Sequence, residues 1–135
     1  MSLSEEERQI VVNLELEKAQ KTFAAMEVCA HEECWESAAN RMYYALFHAV
    51  AALLINDGHQ VKSHRGVMAL FGEYYIRTSI FTKKDGALFS DLVIMRDNAD
   101  YNCFYEANEE KIVPYINPTL QLIEKIKAYI AKKKQ

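Results

Sequence analysis

Four stretches of this 135-residue chain place side chains close enough together to do chemistry. Cys29-Ala30-His31-Glu32-Glu33-Cys34 brings two thiols and an imidazole together, a donor set that zinc accepts. A closed zinc site needs a fourth ligand and none is evident, so a helix–helix loop with reduced thiols is the competing reading. His48 stands alone in an apolar segment beside Tyr43 and Tyr44. A buried histidine is ordinarily neutral and hydrogen-bonded, and it does acid–base work only on a placed substrate. Lys62-Ser63-His64-Arg65 sets potentially basic groups at a helix start, where backbone N–H groups draw anions. A solvated helix start has the same composition. Arg96-Asp97-Asn98-Ala99-Asp100-Tyr101 ends an otherwise apolar helix in polar groups, with Arg96 and Asp100 four apart on one face. The plain alternative there is a helix-end ion pair and a tyrosine wedged between helices.

Other chemistry has no motif to carry it. There is no GxGxxG, P-loop, HExxH, GxSxG or CxxC, so phosphate cradles, zincin sites and hydrolase elbows are unsupported and no metal or cofactor is expected. The formal net charge of -3 disfavours a strongly basic nucleic-acid surface, though a local basic patch fits within it. Three cysteines and an acidic opening at Glu5-Glu6-Glu7, with no apolar leader, lead to the expectation of a soluble cytoplasmic protein. The longest apolar run, Met42 to Ile55, is too short to span a bilayer and ends at Asn56-Asp57-Gly58.

The elements that must position these residues are helices. Half of the residues are hydrophobic, and only four glycines and two prolines are present, too few for the turns of an all-β fold. Ser4 with Glu7 predicts a capping box. Val12, Leu16, Ala19, Phe23, Met26 and Ala30 then form one helical stripe ending near His31. A second helix from about Cys34 to Asp57 is apolar all round, with alanines that admit close neighbours and Gly58 to stop it. A third runs from about Ser63 to Arg77, with Val67, Leu70, Phe71 and Tyr74 inward, and close backbone packing is expected at Gly66 and Gly72. A fourth starts at the Thr82/Asp85 box, carries Leu88, Leu92, Met95 and Ala99, and ends around Tyr101 to Asn102. Pro114 and Asn117-Pro118 predict a kink or fresh start before the stripe Leu120, Ile123, Ile126 and Ile130, with Lys132 to Lys134 at the helix C-terminus. The expectation is one domain over residues 1–135: all-α, an up-and-down bundle of four to five helices.

Ser37 to Ala49, read as SAANRMYYALFHA, resembles the second-helix signature of HEPN domains. Lys62 to Gly66 with Leu70-Phe71-Gly72 resembles their third helix. Arg96 to Tyr101 is similar to the R-polar-x-A-D-Y fourth-helix pattern of one bacterial and archaeal branch, related to partners of minimal nucleotidyltransferases. The resemblance implies a helical bundle that usually dimerises. Many such proteins are metal-independent ribonucleases that use an arginine, a polar residue and a histidine, and others partner small nucleotidyltransferases in toxin–antitoxin modules. Carried over, Arg96 is the family arginine and Asp97 its polar neighbour, but Tyr101 stands where the histidine would be. Histidine titrates at about 6.5 and tyrosine at about 10, so tyrosine is a poor base at neutral pH. A tyrosine that accepts a nucleotide in some modules corresponds to Cys103 here.

Three functions follow. The first is a non-catalytic dimeric binding module, partnering a nucleotidyltransferase or binding nucleotide or RNA phosphate through Arg96, Asp97, Asp100, Tyr101, Lys62, His64 and Arg65. The second is a ribonuclease toxin in which His48 or His64 reaches Arg96 in space. The third is a purely structural dimer. The incomplete motif leans away from an enzyme.

Overall fold

The computed structural model describes residues 3–133 and contains no strand among them. Helix α1 spans Glu5–His31, α2 Trp35–Asn56, α3 His64–Phe71, α4 Lys83–Tyr101, α5 Glu109–Ile112 and α6 Ile116–Lys133. The fold is an all-α bundle, as the pattern of the sequence requires.

The helix ends follow local chemistry. Ser4 Oγ accepts from the Glu7 amide while the Glu7 carboxylate accepts from the Ser4 amide, and Thr82 and Asp85 repeat this reciprocal bonding for α4. Ser63 caps α3 through the Gly66 amide. Gly58 follows α2 with φ at 89°, the left-handed conformation that glycine adopts without strain. Glu33 takes the same region, φ 59°, at the end of α1, and the Cys34 amide closes that turn on the Cys29 carbonyl.

Helix α2 is the axis. Ala38, Ala39, Ala45, Ala49, Ala51 and Ala52 are all buried, and α1, α3, α4 and α6 pack around them. By length and composition α2 could cross a membrane, but most of its surface is covered by the other helices. The α1 stripe is buried as expected at Val12, Ala19, Phe23 and Met26. Helix α4 buries Leu92 and Met95 and adds Phe89.

Three expectations need correction. The α3 segment does not stay α-helical to Arg77: Gly72–Ile76 is a π turn, in which the Arg77 amide bonds the Gly72 carbonyl. The wider turn advances the inward face by one residue, so Tyr75 is buried and Tyr74 is exposed. Close helix packing is absent at Gly72, where an added Cβ would meet open space. At Gly66 it would meet only the capping Ser63 Oγ, and the tight approach is at Gly86, where an added Cβ would lie 3.2 Å from Ile76. Finally, α6 starts one residue before Asn117, after a 3₁₀ turn at Val113–Tyr115, and Asn108 is the cap, accepting from the Lys111 amide ahead of α5. Leu120 is left partly exposed, at 37%, and Leu122 joins Ile123, Ile126 and Ile130 inside. Lys134 lies outside the described residues.

Two polar ties join helices, one fastening the shell to the axis and one joining two shell helices. Asp57, at the end of α2, accepts from Tyr75 (2.6 Å) and Tyr129 (3.0 Å), joining the π turn and α6. Burial pushes the Tyr75 phenol well above its usual range, and the Asp57 carboxylate adds to the effect. Asp85 joins α4 to Lys125 of α6 at 2.7 Å. Burial raises the Asp85 carboxyl, but the Lys125 ammonium and the Thr82 donors outweigh it and hold the acid below its ordinary 3.8. Because the folded state then binds the proton less readily than the unfolded state, this contribution is complete above pH 3.8. It is lost as pH falls through the lowered folded value. Chemical denaturation across the acid range should show stability falling below that point, with a shallower fall in Asp85→Asn; equal slopes would remove Asp85 from the acid response.

Candidate functional site

The polar edge of α2 meets the last turns of α4. Four residues of the fourth-helix motif converge there as a built cluster. Arg96 donates from Nε to Asp100 Oδ2 (3.0 Å), from Nη1 to Asp97 Oδ1 (3.2 Å), and from Nη2 to the phenol oxygens of Tyr44 and Tyr101 (both 3.2 Å). Its guanidinium also lies 5.7, 5.4 and 5.3 Å from the ring centres of Tyr43, Tyr44 and Tyr101. The Arg96 side chain is only 19% exposed. Burial works against its charge, but the Tyr44 and Tyr101 phenols and the Asp100 and Asp97 carboxylates outweigh it and hold the guanidinium above its usual range.

Helix α2 supplies the other half. Asn40 Nδ2 donates to Asp100 Oδ2 at 2.8 Å, and Asn40 Oδ1 accepts from Arg41 Nε (3.0 Å) and Nη2 (2.7 Å). Arg41 lies 5.3 Å from the centre of the Tyr44 ring. Tyr44 is thus flanked by two guanidinium groups. Its partner ring Tyr43, edge-on at 4.9 Å, is buried, and burial raises that phenol, with Tyr44 acting in the same sense and Arg96 against.

His64, the first residue of α3, packs against Phe47 at 4.3 Å and edge-on to Tyr44 at 5.5 Å. It is the histidine next to the cluster, one ring away from Arg96, and among the described residues no histidine hydrogen-bonds Arg96. His48, one helical turn beyond Tyr44 on α2, is tied to α1 instead, with Nδ1 2.9 Å from Glu15 Oε2, where the ring N–H donates to the carboxylate. Lys62 and Arg65 are exposed and make no ion pair or hydrogen bond with the Arg96 group. Lys62 instead lines a recess of 390 Å³ with Arg8 and His59 near the far end of α2.

The cysteine-rich turn between α1 and α2 does not converge. Cys29 packs against the core, His31 is exposed beside Glu32, and Cys34 Sγ contacts the Glu32 carbonyl. Among the described residues no three His, Cys, Asp or Glu side chains are grouped to hold a metal ion.

Sequence reasoning missed Asn40, Arg41 and Tyr44 as members of the site. Their signal was available, since they are polar or amphipathic residues on a helix otherwise apolar all round, where each must find a partner on a neighbour. Arg96→Ala would leave Asp97 and Asp100 without their cation and two phenols without their donor. We expect it to lower unfolding free energy by about 2–3 kcal/mol, from the usual worth of hydrogen bonds to charged groups and the penalty for stranding their partners. Arg96→Lys should restore less than half of that, because an ammonium cannot bridge four acceptors in one plane. Urea titration reads both values; an Arg96→Ala loss below about 0.5 kcal/mol would mean the cluster is no more than a solvated surface pair.

Three known proteins are similar to this chain over most of its length. A UPF0332 protein of Thermotoga maritima is 29% identical over 123 residues, covering 89% of this chain and 93% of that protein. A protein of Methanocaldococcus jannaschii named as a suspected toxin is 28% identical over 118 residues, covering 87% of this chain and 80% of its own length. A UPF0332 protein of Archaeoglobus fulgidus is 26% identical over 117 residues, covering 87% of each chain. The HEPN domain family model matches residues 12–134, which takes in α2 to α6 and α1 from Val12 onward, and the motif residues of α2 and α4 meet at one face within that span. On that match the chain belongs to the HEPN domain family.

Proposed function

We propose that this chain is a toxin-like HEPN module whose Arg96 face binds the phosphate of RNA or of a nucleotide. In this reading it acts in the cytoplasm as a homodimer, alongside a nucleotidyltransferase, and has no base of its own at position 101. The observation that carries the reading is the pair of phenols on Arg96. Tyr44 and Tyr101 both accept from Arg96 Nη2, which leaves each hydroxyl proton free to donate to an incoming oxygen. Tyr101 is 75% exposed, so its hydroxyl and ring are open to a ligand. Exposed aromatic and guanidinium planes are what unpaired RNA bases stack on. The toxin name of the Methanocaldococcus relatives supports the module type.

A second reading has one observation in its favour. His64 stands against Tyr44, whose hydroxyl is bound to Arg96, so a base and a cation flank the same phenol. That is the layout a metal-independent ribonuclease would need if His64 took the 2′-hydroxyl proton.

Purified protein in chelator, mixed with labelled single-stranded RNA, separates the two. The binding module is expected to shift RNA anisotropy without cutting it, with Tyr101→Phe several-fold weaker and its melting temperature unchanged. Cleavage that disappears in His64→Ala would replace this reading with the ribonuclease. Neither binding nor cleavage would remove both.

The dimer has its own support. Ile94 and Phe104 lie on α4 and just beyond it, 60% and 94% exposed, apolar surface that a partner subunit would cover. Light scattering should report a dimer for the native chain and a monomer for Phe104→Glu. A native monomer at tens of micromolar would end the dimer proposal.

A further inference from the structure

The Arg96 group is a poor anion receptor by its own charge. Its single positive charge faces the carboxylates of Asp100 and Asp97 at 3.0 and 3.2 Å, and the Asp97 side chain is 57% exposed. The triad is net negative, so a phosphate that approached Arg96 directly would meet a carboxylate first. Something else must supply the attraction if this face takes phosphate at all.

We propose that Arg41 is the phosphate-gripping side chain of this face, and that Arg96 is a positioning residue that fixes the phenols beside it. This rests on the reading of the face as a phosphate-binding one and names the side chain that does the binding. Within the cluster Arg41 is the cation with no carboxylate among its partners: its acceptor is the neutral amide oxygen of Asn40, bound by Nε and Nη2. Its Nη1 hydrogens make no hydrogen bond among the described residues, and the residue is only half buried. A charged, planar donor with one edge docked and the other edge free is suited to phosphate oxygens.

The dock itself is fixed. Asn40 donates to Asp100, which can only accept, and accepts from Arg41, which can only donate, so its amide has one allowed orientation. Asp100 is in turn bound by Arg96 Nε. The chain Arg96–Asp100–Asn40–Arg41 therefore runs around Tyr44, with the two guanidinium groups 5.4 and 5.3 Å from the centre of its ring. The Tyr44 hydroxyl, held as an acceptor by Arg96, keeps its proton for a second phosphate oxygen. Arg41 supplies the charge and one pair of donors, and Tyr44 adds a neutral donor. The ligand class is a phosphate group, and RNA backbone or a free mononucleotide would each present it.

The test uses the native chain, Arg41→Gln and Arg41→Lys, with melting temperature checking that each variant folds. Native protein with the arginine side-chain nitrogens labelled is titrated with inorganic phosphate, adenosine monophosphate and single-stranded RNA, while the Arg41 Nε resonance is followed. RNA affinity of all three proteins is measured across salt concentration. Support would be an Arg41 Nε shift, an affinity lower by about tenfold in Arg41→Gln with a salt slope smaller by about one, and partial recovery in Arg41→Lys. If RNA binds equally well to folded Arg41→Gln with an unchanged slope, the Arg41 proposal falls and the RNA reading stands. If phosphate or mononucleotide moves Arg41 Nε while RNA does not bind, Arg41 stands and the RNA reading falls. If no ligand moves Arg41 Nε, the Arg41 proposal is overturned.

Discussion

The burial of α2 governs the rest of the molecule. A helix covered on several sides cannot leave its polar groups to water, and each buried donor or acceptor without a partner costs about 1–3 kcal/mol. The polar groups of α2 are accordingly handed to its neighbours one at a time. Asn40 goes to Asp100 of α4, the Tyr44 hydroxyl to Arg96 of α4, and His48 to Glu15 of α1. At the C-terminal end the Leu53 carbonyl and Asp57 both receive Tyr75 from the π turn. The site and the scaffold are products of the same constraint, read at opposite ends of one helix.

That constraint also explains why α2 is rich in alanine. A small side chain lets a neighbouring helix approach closely, and the buried alanines alternate with Met42, Leu46, Val50, Leu53 and Leu54, which fill the space between. Close approach is what brings α4 within hydrogen-bonding distance of Asn40 and Tyr44. Larger residues at Ala45 or Ala49 would push the neighbours outward and open the polar contacts as well as the core.

The charge of the face is divided between its two arginines. Arg96 is wrapped by acceptors and rings and has one Nη1 hydrogen left to offer, so its main effect is to hold Tyr44, Tyr101 and Asp100 in one arrangement. Arg41 is tied at one edge to a neutral amide and keeps its charge uncompensated. A cluster with one internal and one outward cation can be rigid and still attract an anion, which a fully paired cluster cannot do. His64 adds an aromatic edge on the Tyr44 side, and its ring is held by Phe47 through packing alone.

Local chemistry and periodicity sufficed for the class of fold, the order of its elements and most helix ends. Ser4, Ser63, Thr82 and Gly58 act over three or four residues through their own backbone neighbourhood, so the sequence by itself determined them. The motif from Arg96 to Tyr101 was legible for the same reason, since Arg96 and Asp100 are one helical turn apart. What lay beyond the sequence was everything set by how helices sit against each other. Tyr75 is buried in place of Tyr74 because a π turn widens the helix where α4 presses Gly86 against Ile76. His48 paired with Glu15 of α1 in place of Arg96, and Lys62 fell to the far end of α2, although each was as plausible as His64 on spacing. Asn40 and Arg41 entered the site across 60 residues of chain, through a pairing with Asp100 that depends on interhelix distance and rotation. No periodicity along one segment encodes those quantities, so only the tertiary structure decided them.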